Sequence, residues 1–370
     1  LFDTAVILFL CGDVMTGRGV DQILSHPGDP RLWEPFVRDA RSYIDLAEAA
    51  NGPIARPVPP SWPWGDALQV LAQINPDVHL INLETSITQS DQADSKDVLY
   101  RMNPANIACL AVAQPDACVL ANNHVLDFGS PGLIDTLDTL AGVQIRGVGA
   151  GRDLQQARQP AVLVPPGGGR VIVFAAGAQS SGIPSDWAAT PQRGGVNLLP
   201  DLSADTADQV GDWIRQAKRP GDIAVFSVHW GSNWGYGVPA SHIDFAHRLI
   251  DHGIDIIHGH SSHHPRPIEV YRGKLIIYGA GDLIDDYEGI GGHEEYRDDL
   301  RAMYFPNVEA ETGRLLGLAI VPLKAHHMGL HHASAQDSGY LCDLFDQIST
   351  PFGARVERGP DSTLQLVQQP

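Results

Sequence analysis

Ile256-Ile257-His258-Gly259-His260-Ser261-Ser262-His263-His264-Pro265 carries an apolar run straight into a cluster of histidines. The paired β-branched residues predict a buried strand over 255–258. Neutral imidazole is the commonest side-chain metal ligand, and sites in open α/β sheets lie just beyond the carboxyl ends of strands. Taken alone, the stretch reads as well as a surface histidine cluster. The other predicted strands decide between the two.

Several of them also run into ligand-type residues. A strand over 5–11 ends in Gly12-Asp13-Val14-Met15-Thr16-Gly17-Arg18-Gly19, which lacks the G-x-G-x-x-G spacing of a dinucleotide loop. Asp13 there either caps the next helix or binds a cation. A strand over 77–83 leads to Glu84, one over 117–121 to Asn122-Asn123-His124, and one over 223–228 to His229-Trp230-Gly231. An Asn-His pair can bind a metal through the amide oxygen and leave the imidazole free for proton transfer; it can also be an ordinary turn. Asp13, Glu84, Asn123, His229, His260 and His263 form the expected metal-ligand set, since independent turns would rarely place six such residues at strand ends. Mixed oxygen and nitrogen donors suit Mn, Fe, Zn or Co better than Ca or Mg. Six donors suffice for one or two divalent ions.

The 370 residues can bury a large core, and we expect one domain over 1–370 with an insertion at 21–63 and a C-terminal extension at 325–370. A formal net charge of -19 argues against nucleic acid or an anionic membrane as partner. Cys11, Cys109, Cys118 and Cys342 show no C-x-x-C spacing, so buried free thiols in a reducing, cytoplasmic compartment are expected. The apolar run at 5–10 is far too short to span a bilayer and is read as the first strand.

Helical spacing covers 41–50, 65–74, 132–140, 204–218 and 242–252. A hairpin is expected over 161–176 around Pro165-Pro166-Gly167-Gly168-Gly169, a loop over 190–200, a second hairpin over 267–278 turning at Arg272-Gly273, and a late strand over 314–323. Trp33 and Trp62 lie inside the insertion and Trp64 just beyond it; they suggest a lid or substrate wall, or packing onto the domain's own core. The Gly-, Asp- and Glu-rich 279–299, including His293 and Glu294, reads as a solvated loop or a substrate-facing one. His326, His327, His331 and His332 are read as structural.

Gly12-Asp13-Val14-Met15, Asn82-Leu83-Glu84, Ala121-Asn122-Asn123-His124, His229-Trp230-Gly231 and Gly259-His260-Ser261-Ser262-His263, followed by Pro267-Ile268-Glu269-Val270-Tyr271-Arg272-Gly273-Lys274, resemble the CapA (poly-γ-glutamate synthesis protein) family. That family falls within the calcineurin-like metallophosphoesterase superfamily, and the resemblance extends over about residues 8–285. It implies an α/β fold, a four-layer α/β/β/α sandwich with metals at the strand ends. Two positions depart from the wider superfamily: Met15 stands where a histidine is usual, and Glu84 where a bridging Asp is usual.

Three activities are compatible with the resemblance. A phosphoesterase would use the metals for in-line displacement and His124 to protonate the leaving group, although Arg18 and Arg101 alone stand near the motifs to clamp a phosphate. Similarity to the lasso-peptide epimerase branch implies L-to-D epimerisation at Cα of a residue in a ribosomal peptide, with Mn the favoured metal and His124, His293 and Glu294 the candidate proton carriers. The third reading is an accessory protein of poly-γ-glutamate capsule synthesis. Peptide epimerisation is the expected activity, with a peptide as the partner.

Overall fold

In the computed structural model, which describes residues 5–165 and 169–367, the long buried runs assemble into two sheets. Strand Ala5–Val14 is central to the first. Leu300–Glu309 pairs with it antiparallel on one side and Val78–Leu83 parallel on the other, so Leu8, Phe9 and Leu10 are all fully buried. A strand covered on both faces has no polar alternation to show, which is why this run is continuously apolar. Ala117–Val119 and Arg146–Val148 extend the sheet in one direction; Leu315–His326, Leu364–Val367 and Arg355–Arg358 extend it in the other. Much of the 325–370 segment therefore builds one side of this sheet.

The second sheet has a parallel core of Arg170–Ala178, Asp222–His229, Ile256–His260 and Lys274–Ile277. Its side chains alternate between two interiors. Val171, Val173, Val225, Ile256 and Ile277 join the core shared with the first sheet. Ile172, Phe174, Phe226, Ile257 and Ile276 instead meet Val210 and Ile214 of helix Ala204–Ala217 and Phe245 and Leu249 of helix Ala240–Asp251. Each large side chain so buried contributes about 1.5–3 kcal/mol. The fold is thus mixed α/β, with helices on the face of the second sheet that points away from the first.

Several expected boundaries move. The first strand runs on to Val14, so Asp13 lies within it, and the opening stretch stays extended through His260. The 190–200 loop contains the short strands Gly195–Val196 and Leu198–Leu199. Asp282–Ile284, inside the expected 279–299 loop, is a strand parallel to Ala5–Val14. Leu300–Glu309 is a strand where none was expected. Both expected hairpins form: Ala161–Leu163 pairs antiparallel with Arg170–Ala178, and Ile268–Tyr271 with Lys274–Ile277. Pro166, Gly167 and Gly168 of the first turn lie outside the described residues.

The insertion builds a small core from Ile23, Leu32, Tyr43, Ile44, Ala47 and Val58 together with Cys109 and Met328. Its tryptophans pack onto the chain: Trp62 Nε1 donates to the His327 carbonyl, and Trp33 meets Phe128 edge-on. Trp64, just beyond, donates to the Cys109 carbonyl. All four cysteines are buried free thiols. Among the described residues, no helix is long and apolar enough to cross a membrane.

Candidate metal centre

The two sheets bring their strand ends to one place. His258 ties them together, its Nε2 lying 2.8 Å from the Cys11 carbonyl of the first sheet. At the next residue of that strand, Gly12, a Cβ would come within 1.6 Å of the Gly281 carbonyl oxygen, so only glycine lets the two backbones meet there. Asp13 follows, with Asn82 as its register partner on one side and Asp282 on the other. His229 and His260 are register partners at the ends of their own strands.

An amide chain orients the acids. Asn122 Nδ2 donates to Asn82 Oδ1 at 3.0 Å and to the Leu83 carbonyl at 2.8 Å. Asn82 Nδ2 in turn donates to Asp13 Oδ1 at 2.7 Å and Glu84 Oε2 at 3.1 Å. Opposite stand the imidazoles. His229 Nδ1 and His260 Nδ1 are 2.7 Å apart, and His229 Nε2 is 2.9 Å from Asn123 Oδ1. His263 Nδ1 lies 3.0 Å from Asp282 Oδ1. Ser261, between His260 and His263, has φ of 101°, a strained value for a residue with a Cβ, and the chain turns there between the two ligand-type residues.

Electrostatics favours a cation here. Burial, then the neighbouring Asp282 carboxylate, pushes Asp13 up to about 7, and burial with Asp13 beside it raises Glu84 well above the usual range. Burial holds His229 and His260 in the neutral, ligating form. Asp13 Oδ2 is buried with no hydrogen-bond partner, a costly condition that a bound cation would relieve. Asp13, His229 and His260 offer donor atoms within 4.8 Å of one another, and so do Asp13, His263 and Asp282. This donor set fits divalent transition metals, with Asp13 common to both groups.

Above these groups opens a cavity of about 480 Å³, lined among others by Glu84, Asn123, His124, His229, His263 and Tyr287. His124 is oriented by Asp127, whose Oδ2 lies 2.6 Å from Nδ1 and also accepts from the Tyr100 amide. Nδ1–H donation to the carboxylate leaves Nε2 as the lone-pair nitrogen, 3.9 Å from Glu84 Oε1. Burial lowers His124 to about 4, so it rests neutral. Lys96 holds the far oxygen of Asp127 at 2.7 Å and also donates to the Asn123 carbonyl.

The six expected metal-ligand residues thus converge. Of the expected proton carriers, His124 faces the cavity and the other two stand apart from its lining. His293 is stacked on Trp234 with ring centroids 3.7 Å apart, and Glu294 is exposed, its Oε1 accepting from the Gly292 amide. Arg18 is buried against Asp286 and Glu34, and Arg101 against Asp91, so neither is a free phosphate clamp. Asp282, Asp127 and Lys96 were not expected. Asp127 was readable as His124-x-x-Asp127; Asp282 was hidden in a glycine-rich acidic run.

The site is thus an α/β fold whose strand ends gather carboxylates, an amide and imidazoles able to hold a metal ion. The chain belongs to the bacterial capsule synthesis protein PGA_cap family, which it matches over residues 7–287. It is 52% identical over 364 residues to a probable polyglutamine synthesis accessory protein of Mycobacterium tuberculosis (strain ATCC 25618 / H37Rv), covering 98% of this chain and 96% of that protein. It is 30% identical to the PGA biosynthesis protein CapA of Bacillus subtilis (strain 168), covering 85% of this chain and 70% of that protein. It is 22% identical to a capsule biosynthesis protein CapA of Bacillus anthracis, covering 75% and 59%. These relatives favour the polymer-synthesis alternative over peptide epimerisation.

Proposed function

We propose that this chain is a metal-dependent accessory enzyme in the synthesis of a glutamate- or glutamine-type polyamide, acting on the polymer's amide groups. The observation that carries the reading is the buried, unpartnered Asp13 Oδ2: the Asp13 carboxylate lies within 4.8 Å of donor atoms of His229 and His263, which line a cavity whose wall also holds a neutral, carboxylate-oriented His124. The names of the relatives supply the polymer. On the same reading the layers form an α/β/β/α sandwich and the metal is Mn.

A divalent ion held there supplies Lewis-acid polarisation of an amide or carboxylate oxygen. Asp13, His229 and His260 would hold one ion, and Asp13, His263 and Asp282 a second. His124 moves a proton at Nε2, Asp127 fixes its tautomer, and Lys96 balances the Asp127 charge. Among the described lining residues the one lysine or arginine is Lys96, which is held by Asp127, and this favours an amide over a phosphoester substrate. With a net charge of -19, the surface repels an acidic polymer, so capture should depend on the bound metal.

The test is to incubate Mn-loaded and chelated protein with poly-γ-glutamate in D₂O and follow products by mass spectrometry. Shortened chains with the loaded protein only are expected; an unchanged polymer under both conditions would overturn the reading. Epimerisation has one point in its favour, that the imidazole of His124, which is outside both candidate metal groups, lines the cavity. Deuterium gain without cleavage would select it.

A further inference from the structure

Tyr287 brings to the cavity lining a hydroxyl with a weak acceptor beside it. Tyr287 is half-buried in the lining, and its ring meets His263 edge-on at 5.3 Å. Its hydroxyl donates to Met15 Sδ at 3.7 Å, and a thioether is a weak acceptor. Tyr100, fully buried, places its own hydroxyl 2.7 Å from that of Tyr287. Either phenol can donate across that contact; with the Tyr287 proton on the sulfur, Tyr100 donates to Tyr287, and such a chain polarises its terminal O–H.

The support behind the pair is rigid. Tyr100 also meets His124 edge-on at 4.5 Å, so the two phenols connect the His124 wall to the His263 wall. The Arg18 guanidinium lies 4.5 Å from the Tyr100 ring centroid and 5.7 Å from that of Tyr287. Asp286 and, from the insertion, Glu34 hold Arg18 in place. The insertion supplies none of the residues lining the cavity, yet reaches it through this relay.

We propose that Tyr287, backed by Tyr100 and Arg18, is the cavity's neutral hydrogen-bond donor for a ligand oxygen, exchanging the Met15 sulfur for a carboxylate or amide carbonyl. The ligand class is a carboxylate-bearing polyamide, and that part rests on the function proposed above. The donor itself does not depend on it. A ligand oxygen is a much better acceptor than a thioether, so binding strengthens the bond rather than merely exchanging it.

The test is calorimetric binding of glutarate and of poly-γ-glutamate to Mn-loaded wild type, Tyr287→Phe and Tyr100→Phe, with bound Mn measured for each. Tyr287→Phe keeps the ring against His263 and should weaken both ligands about tenfold while retaining wild-type Mn. Tyr100→Phe should give a smaller loss. Equal glutarate affinity in wild type and Tyr287→Phe, loss of Mn from Tyr287→Phe, or failure of wild type to bind either ligand would overturn the proposal. Glutarate binding that is Tyr287-dependent, with no polymer binding, would uphold the donor and count against the polymer.

Discussion

His124 Nδ1 lies 2.6 Å from Asp127 Oδ2, inside one short loop, and that contact determines which nitrogen of the imidazole is left for chemistry. Asp127→Asn should preserve bound metal and reduce turnover of the polymer by about a hundredfold or more, since an amide partner no longer enforces the tautomer. Parallel rate and metal-content measurements check this. Equal loss of metal and rate would instead make Asp127 a structural support.

Asn82 serves two carboxylates at once, donating to Asp13 and Glu84 from one amide nitrogen. Removing it in Asn82→Ala leaves both acids buried without their orienting donor. Metal affinity should fall by roughly ten- to a hundredfold, the usual cost of losing a group that orients ligands. A Mn titration of wild type against variant measures it.

Gly12 is fixed by sterics. A Cβ at 1.6 Å from a backbone oxygen cannot be relieved by a rotamer change, so Gly12→Ala must part the Ala5–Val14 strand from the backbone at Gly281. We expect a loss of more than about 3 kcal/mol, read as a lower urea midpoint or as insoluble protein.

Below about pH 6.5 the buried histidines and the raised Asp13 carboxyl both respond to acid, with opposite signs, and His242 isolates the destabilising part. His242 is stacked on Trp230 at 4.6 Å, and burial, with Arg266 nearby, lowers it from 6.5 to about 4. Between those values the unfolded chain binds a proton that the folded chain refuses, so stability is full above pH 6.5 and falls as pH drops toward 4. Burial lowers His258 and His264 in the same direction. His242→Phe should remove on the order of 1 kcal/mol of the difference between pH 7 and pH 5. Urea unfolding at the two pH values checks it; an unchanged difference would show that His242 does not contribute.

How far the site could be read from sequence follows from strand geometry. A continuous apolar run that stops at a ligand-type residue marks the carboxyl end of a buried parallel strand, and Asp13, Glu84, His229 and His260 were legible on that basis. Asp282 was not, because its strand has three residues and lies among glycines that read as loop. Leu300–Glu309 was hidden by Pro306, a residue that argues against a central strand, yet it pairs on both sides. His293 and Glu294 looked chemical only by composition. Stacking on Trp234 and a hydrogen bond to the Gly292 amide account for them locally. The tyrosine pair could not be read at all, since Tyr100 and Tyr287 are brought together only by the fold.

The claim on which the rest depends is that Asp13 anchors a divalent-metal centre. The direct measurement is calorimetric titration of metal-stripped wild type and Asp13→Ala with Mn²⁺, with bound metal counted by plasma mass spectrometry. Wild type should bind one or two equivalents, and the variant should lose most or all of them. Wild type that binds no divalent metal, or an Asp13→Ala variant that binds it as tightly, would contradict it.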